Sequence, residues 1–102
     1  MMPLIEIRRL TVIAEASLRD MLADAFLEMG AKGYSCIDCS GVGKDVMMED
    51  PSTGKTHVQL TVLARRPLAE ALLQHVHQLR KKGHKVIGSL EPILVYEDDA
   101  FF

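Results

Sequence analysis

The chain has 102 residues, of which 48% are hydrophobic and 25% are charged, and its 12 Lys and Arg against 14 Asp and Glu give a formal net charge of −2. This length and composition predict one globular domain spanning residues 1–102 and argue against disorder. Because the chain has neither a basic excess nor a Trp, nucleic-acid binding is disfavoured. The apolar runs are far shorter than the roughly 20 residues of a membrane helix, and residues 1–9 lack the pattern of a secretory signal. We therefore expect a cytoplasmic protein with no membrane insertion.

The N-terminal segment predicts a first β-strand. Leu10–Ala14 is a run of apolar and β-branched residues, and Ile5 and Ile7 extend the strand toward the N-terminus. The pair Arg8 and Arg9 shifts the apolar alternation by one position. This shift predicts either a bulge or a separate edge segment before Leu10.

The following segment predicts a helix and a second strand. Ser17 has the character of an N-cap residue, with Asp20 three positions later, and Gly30 has that of a residue just past the helix C-terminus. Apolar residues at helical spacing fill the interval, namely Leu18, Met21, Leu22, Ala25, Phe26 and Met29. The second strand is predicted over Tyr34–Ser40.

The second half of the chain predicts a strand, a helix and a last strand. Residues 41–55 show no periodicity, whereas the alternation from His57 to Ala64 is typical of a half-buried strand. Pro67 at the first position opens a helix that Gly83 ends. The last strand is predicted over Val86–Tyr96, with Pro92 indicating an edge position or a bulge.

The order β-α-β-β-α-β predicts a ferredoxin-like α+β fold, in which two helices cover one face of a four-stranded antiparallel sheet. The other face is also expected to carry apolar side chains, from Val12, Cys36, Leu63 or their neighbours. Because a bare apolar sheet face is unfavourable in water, we expect this face to pack on other subunits.

The residue types that most often carry metal or catalytic chemistry form no convincing site. Cys36 and Cys39, three positions apart on a strand, would point to opposite faces and lie roughly 10 Å apart, too far for chelation or a disulfide. His75 and His77 would lie about 200° apart around a helix. No nucleophile elbow or enclosed carboxylate pair is evident, so the sequence predicts no catalytic residue and no enzyme.

Two glycine-containing segments are more informative. Gly30-Ala31-Lys32-Gly33 leads into the second strand, and Gly41-Val42-Gly43-Lys44 follows it directly. Glycines let backbone N–H groups approach an anion, and a lysine adds a positive charge that holds phosphate. A simple hairpin turn is an equally good interpretation of the second segment. The long aperiodic stretch behind it favours a functional loop.

These segments resemble the signature of PII signalling proteins, which typically read Gly-x-x-Gly-(Met/Tyr/Leu)-(Thr/Ser), a variable stretch and Gly-x-Gly-(Arg/Lys). The spacing here matches without a gap. The resemblance implies a homotrimer with adenine nucleotides bound between subunits, and a T-loop, here residues 41–55, that docks on a protein target. Carried over position by position, it implies nucleotide contacts from Ile13, Lys32, Gly33, Ser35, Gly41, Val42, Gly43, Lys44 and Leu63.

The chain departs from the nitrogen-regulating members in its phosphate contacts. Only Gly83 and Lys85 remain of the family's glycine-rich phosphate loop, and Ile93–Tyr96 lacks the family's paired arginines. The segment 41–55 contains no Tyr. This pattern is similar to PII-like proteins associated with bicarbonate transporters and carboxysomes. That resemblance implies ADP or AMP at least as much as ATP, bicarbonate as a second ligand in some members, and a target in inorganic-carbon uptake or the carboxysome.

Three other functions stay open at this point. A divalent-metal-binding ferredoxin-like trimer would share the topology but would need a clustered metal site. A nitrogen-type PII regulator of an ammonium transporter would share the body of the protein. An enzyme with weak nucleotide hydrolysis would need catalytic groups that the sequence does not display.

Overall fold

The computed structural model of the protein describes residues 3–40 and 56–99. The T-loop segment predicted over residues 41–55 lies outside the described residues. In chain order the elements are β1 (Leu4–Glu15), a 3₁₀ turn (Ala16–Leu18), α1 (Arg19–Glu28), β2 (Ser35–Cys39), β3 (His57–Ala64), α2 (Arg66–Lys81) and β4 (Val86–Tyr96). None of the helices in this part of the chain is long and apolar enough to cross a membrane.

The four strands form one antiparallel sheet in the order β2-β3-β1-β4. The central strand β1 pairs with β3 on one side and with β4 on the other, so that Thr11 lies opposite both Thr61 and Ser89. Each helix connects two strands that are parallel to each other and separated by a third. The predicted ferredoxin-like fold is therefore confirmed.

Strand β1 is continuous, and the predicted bulge or separate edge segment before Leu10 is wrong. Its pairing with β4 runs without a slip from Leu4 opposite Tyr96 to Ala14 opposite Val86. The alternation shifts because apolar residues are buried on both faces of this strand. Leu10 belongs to the core beneath the helices, whereas Ile7, also fully buried, lies on the other face.

Both helices end in the same glycine motif, as predicted. Gly30 and Gly83 adopt φ values of +117° and +102°, which L side chains rarely adopt. The Gly30 N–H donates to the Leu27 carbonyl, and the next N–H donates to the Phe26 carbonyl, which is the Schellman arrangement. Gly83 and His84 make the equivalent bonds at the end of α2, to the carbonyls of Arg80 and Leu79.

The helix starts differ from the predictions. The predicted Ser17 N-cap is wrong, because residues 16–18 form a 3₁₀ turn and α1 begins at Arg19 without a side-chain cap. The Ala16 N–H donates to the Thr56 carbonyl over 3.0 Å, and this long-range bond holds the turn against the start of β3. Pro67 is the second residue of α2 rather than the first. Pro92 lies on the edge strand β4. Of the two predictions for this proline, an edge position or a bulge, the edge position is confirmed.

The core lies between the helices and one sheet face. Gly88 of β4 shows how closely α2 approaches: a Cβ built there would lie 3.0 Å from Leu73 Cδ1 and 3.3 Å from Val76 Cγ1. The largest fully buried side chains of this core are Leu10, Val12, Leu22, Phe26, Val58, Leu60, Val62, Leu72, Val76 and Val86.

The other sheet face, here called the open face, carries exposed apolar side chains. Ile13, Ile37 and Ile87 are 39%, 57% and 54% exposed, and they are joined by the half-buried Leu63. The prediction of an apolar open face is confirmed for Leu63 and for these neighbours. It is wrong for Val12 and Cys36, which pack toward the helices, since both lie opposite the core residue Leu60.

Candidate ligand-binding site

A cleft of about 490 Å³ opens at the end of the sheet where β2 begins. The Schellman turn at Gly30 directs the chain away from α1, and the buried Ala31 anchors the exposed turn that follows it. The described residues that line the cleft are Arg9, Lys32, Gly33, Tyr34, Ser35, Thr61 and Leu63. Four of the predicted nucleotide contacts, Lys32, Gly33, Ser35 and Leu63, are thus brought together.

The strand register explains why residues from three strands meet here. Ser35 lies directly opposite Thr61, and Leu63 lies directly opposite Arg9. Because Thr61 and Leu63 are two positions apart on β3, all four side chains lie on the open face. They form a continuous path from β2 across β3 to β1.

The cleft combines three kinds of chemistry. Tyr34, which is 43% exposed, offers an aromatic ring, and Leu63 offers a half-buried apolar surface. Ser35 and Thr61 offer hydroxyl groups that both donate and accept hydrogen bonds. The positive charges of Lys32 and of Arg9 attract an anion. This set suits a ligand with a planar aromatic part, hydroxyl groups and a negative charge.

Arg9 also makes an ion pair beside the cleft. Its Nη1 lies 2.8 Å from Oε1 of Glu91, which is the residue directly opposite on β4. The side chains of Arg9 and Glu91 are 44% and 55% exposed, so water screens the pair strongly.

Gly83 and Lys85 lie at the opposite end of the sheet, which we call the loop end. The Glu15 N–H donates to the Lys85 carbonyl over 3.1 Å, which places Lys85 at the last residue of β1. Arg9 and Glu15 are six positions apart on that strand, which corresponds to about 20 Å. Within one protomer, the predicted contact residues that the structure describes therefore lie toward the two opposite ends of the sheet.

The other predicted nucleotide contacts lie near the loop end or belong to the part of the chain that the structure does not describe. Ile13 lies on the open face two positions from Glu15 and does not line the cleft. The predicted contacts Gly41, Val42, Gly43 and Lys44 lie outside the described residues. The Gly83 N–H donates to the Arg80 carbonyl, which gives Gly83 a structural role at the end of α2. A ligand contact from it stays a prediction.

Among the described residues of the cleft, the sequence predictions missed three, Arg9, Tyr34 and Thr61. A signal for Tyr34 was present, because it occupies a position of the motif between two predicted contacts. Thr61 and Arg9 could be placed only with the register of β3 against its neighbours, which the sequence does not specify.

The cysteines and histidines form no metal site in the described part of the chain. Cys36 and Cys39 both lie on β2, on opposite faces, as predicted, and both are free thiols. Burial raises the pKa of the Cys36 thiol, which disfavours the thiolate that a metal would need. Among residues 3–40 and 56–99, no group of three His, Cys, Asp or Glu side chains could hold a metal ion.

A second, slightly larger groove of about 550 Å³ lies between α2 and β4. None of the predicted contact residues within 3–40 and 56–99 lines it, and the arginine among its described lining residues is Arg80, whose Nη1 donates to the Val86 carbonyl at 3.2 Å. The smaller cleft is therefore the better candidate for a charged, aromatic ligand.

The fold defines a small protein of the ferredoxin-like class, and the cleft is its candidate ligand-binding site. A family model for "Nitrogen regulatory protein P-II" matches residues 7–95. The chain belongs to the P-II family and is a PII-like signalling protein. The resemblance drawn from the glycine motifs is thereby confirmed at the level of the family.

Solved structures agree with this assignment at the level of the fold. A PII-like signalling protein from Thermus thermophilus superimposes with a TM-score of 0.79 at 22% identity, over 99% of this chain and 100% of the other. The protein CPII from Thiomonas intermedia, bound to ADP and bicarbonate, superimposes with a TM-score of 0.80 at 21% identity, over 95% of each chain. The same protein bound to ADP, AMP and acetate gives 0.77 at 22% identity, over 91% of each chain. No curated protein matches the chain.

Proposed function

We propose that the protein is a non-catalytic regulatory homotrimer of the cytoplasm that binds ADP or AMP in the clefts between its subunits. The observation that carries the proposal is the cleft itself, in which a tyrosine, the hydroxyl groups of Ser35 and Thr61 and two cations surround a space of about 490 Å³. A nucleotide offers the matching base, ribose and phosphate groups.

The arrangement of the two groups of residues supports a site shared between subunits. The cleft and the loop end lie about 20 Å apart on one protomer, too far for both to hold the same small ligand. Exposed apolar residues on the open face, Ile13, Ile37 and Ile87, favour packing against other copies of the chain. In a closed trimer, the loop end of one subunit can face the cleft of its neighbour.

The phosphate contacts favour a nucleotide with fewer phosphates than ATP. The turn between α2 and β4 offers Lys85, while the N–H groups of Gly83 and His84 already serve the helix end. Strand β4 contains neither Arg nor Lys between Val86 and Tyr96. The remaining positive charges suffice for the one or two phosphates of AMP or ADP.

Bicarbonate is the second ligand in this proposal, and the T-loop segment 41–55 carries the signal to a protein of bicarbonate uptake or of the carboxysome. The support is the fold shared with the ADP- and bicarbonate-bound CPII, together with the reduced phosphate contacts that set this chain apart from nitrogen-type members. A ligand can change the state of the loop only through its different affinities for the loop conformations.

The test is calorimetry on the purified protein with adenosine, AMP, ADP and ATP, each with and without bicarbonate. We expect binding of AMP and ADP, weaker binding of ATP and a change in nucleotide affinity when bicarbonate is added. The variant Lys44→Ala should weaken binding of ADP but not of adenosine, and Lys55→Ala in the same segment is the matched control. Absence of binding by every adenine nucleotide would overturn the proposal.

A further inference from the structure

We propose that Arg9 is an anion-binding residue of the cleft and that Glu91 is its resident counter-ion, which the oxyanion of a ligand replaces. The proposal rests on the function proposed above and adds the group that holds the ligand's charge at the cleft end. The oxyanion is the phosphate of a nucleotide or bicarbonate, since the same chemistry recognises both.

Arg9 stands where an anion entering the cleft would meet it. It lines the cleft and lies directly opposite Leu63, which forms the apolar wall. Lys32, on the turn that precedes β2, is the second cation of the lining. Neither adenine nor ribose is charged, so two cations in one cleft indicate that a negatively charged group of the ligand is placed there.

The chemistry of the guanidinium suits an exchange of partners. The ion pair with Glu91 engages Nη1 of Arg9, while a guanidinium presents several N–H donors in a planar fork. That fork matches the geometry of carboxylate, phosphate and other planar or tetrahedral oxyanions. The carboxylate therefore orients Arg9 in the absence of ligand and leaves donors for an incoming anion.

The exposure of the pair makes the exchange feasible. With 44% of the Arg9 side chain and 55% of the Glu91 side chain exposed, the ion pair contributes little to stability and can be broken at low cost. An oxyanion that also contacts Lys32 and the hydroxyl groups of the cleft is held beside Arg9 more strongly than the exposed carboxylate of Glu91 is. Glu91 then lowers the affinity for the anion by competing for Arg9.

The experiment compares Arg9→Ala, Arg9→Lys and Glu91→Gln with the wild-type protein by calorimetry, using adenosine, ADP and bicarbonate as probes. Arg66→Ala is the matched control. It removes an arginine from a similar exposed pair, Arg66 with Glu70 at 3.0 Å, that does not line the cleft.

If the phosphate is the anion, Arg9→Ala weakens ADP binding by about tenfold and leaves adenosine binding unchanged. The ADP affinity of Arg9→Lys lies between those of the wild type and Arg9→Ala, because lysine keeps the positive charge but lacks the planar fork of N–H donors. Glu91→Gln tightens ADP binding by roughly two- to fivefold. If bicarbonate is the anion, the same ordering appears in its effect on nucleotide affinity, while the affinity for ADP alone is unchanged.

Wild-type affinities for both anions in Arg9→Ala would overturn the role of Arg9 and leave the nucleotide site standing. The same loss in Arg66→Ala would also overturn it, because it would trace the effect to net charge. If Glu91→Gln binds no more tightly than the wild type, the competing role of Glu91 is wrong. A wild-type protein that binds neither nucleotide nor bicarbonate overturns this proposal together with the proposed function.

Discussion

Ser35, the first residue of β2, lies directly opposite Thr61 of β3, so the two hydroxyl side chains share the open face at the mouth of the cleft. Their position follows from the turn after Gly30, which places the start of β2 beside the second half of β3. The pair offers hydrogen bonds to the polar groups of a bound ligand without carrying charge. It is therefore a direct probe of whether the cleft binds the nucleotide.

The first prediction concerns Thr61. Thr61→Val keeps the shape of the side chain and removes its hydroxyl, so it should weaken ADP binding by about 0.5–1.5 kcal/mol, the usual worth of one neutral hydrogen bond. Thr11→Val is the matched control, because Thr11 lies opposite Thr61 on β1 and does not line the cleft. Titration calorimetry measures the ADP affinity of both variants. Equal affinities in the two would show that Thr61 does not contact the nucleotide.

The second prediction concerns the aromatic ring of Tyr34. Tyr34→Ala should weaken the binding of adenosine, AMP and ADP alike by about 1–3 kcal/mol, because stacking acts on the base that all three share. Tyr34→Phe should keep most of the affinity, since the ring remains. Tyr96→Ala is the control, since it removes the chain's other tyrosine, which is 52% exposed and lies outside the cleft lining.

A loss for ADP that is absent for adenosine would contradict stacking as the role of Tyr34. Such a result would assign the tyrosine to the phosphate side of the ligand instead. Unchanged binding of all three ligands would exclude Tyr34 from the site.

Most of the fold could be predicted because its signals are local. The alternation in β3 and the glycines after each helix depend on residues within a few positions of each other. The predictions were wrong where contacts between residues far apart in the sequence determine the local structure. The turn at residues 16–18 is held by the bond from Ala16 to Thr56, and Ile7 is fully buried on the open face, where it lies opposite Ile93 of β4.

The candidate site could be predicted only as far as a sequence motif reaches. Lys32, Gly33 and Ser35 belong to one contiguous motif, and the structure brings them into one cleft with Leu63. Arg9 belongs to no motif. It enters the cleft because the register of β1 places it between Leu63 and Glu91, and a shift of one residue would turn it to the other face.

The third prediction separates the structural glycine from the one in the cleft. Gly83→Ala forces an L side chain to φ +102° and should lower the free energy of unfolding by about 1–2 kcal/mol. Its N–H already donates to the Arg80 carbonyl, so the ADP affinity of the folded variant should be close to that of the wild type. Denaturant unfolding and calorimetry measure the two effects separately.

Gly33→Ala is the counterpart of Gly83→Ala. A Cβ at Gly33 would meet nothing within 4 Å, and the residue has no positive φ, so stability should change little. The added methyl group would instead stand in the cleft and reduce ADP affinity. A loss of ADP affinity in Gly83→Ala as large as that in Gly33→Ala would show that Gly83 serves the ligand as well as the helix end.

The fourth prediction concerns the open face as the surface between subunits. Ile37 is 57% exposed on the edge strand β2, and a trimer built through the sheets would bury it. Ile37→Arg should therefore place an unpaired charge in that interface and lower the mass measured by analytical ultracentrifugation from trimer toward monomer. The variant should lose ADP binding at the same time, because each site of the proposed trimer combines residues from two subunits. Leu27→Arg, at a residue 45% exposed on α1, is the matched control and should remain a trimer that binds ADP. A monomeric Ile37→Arg that still bound ADP with wild-type affinity would show that one protomer holds the whole site, and the shared-site proposal would be wrong.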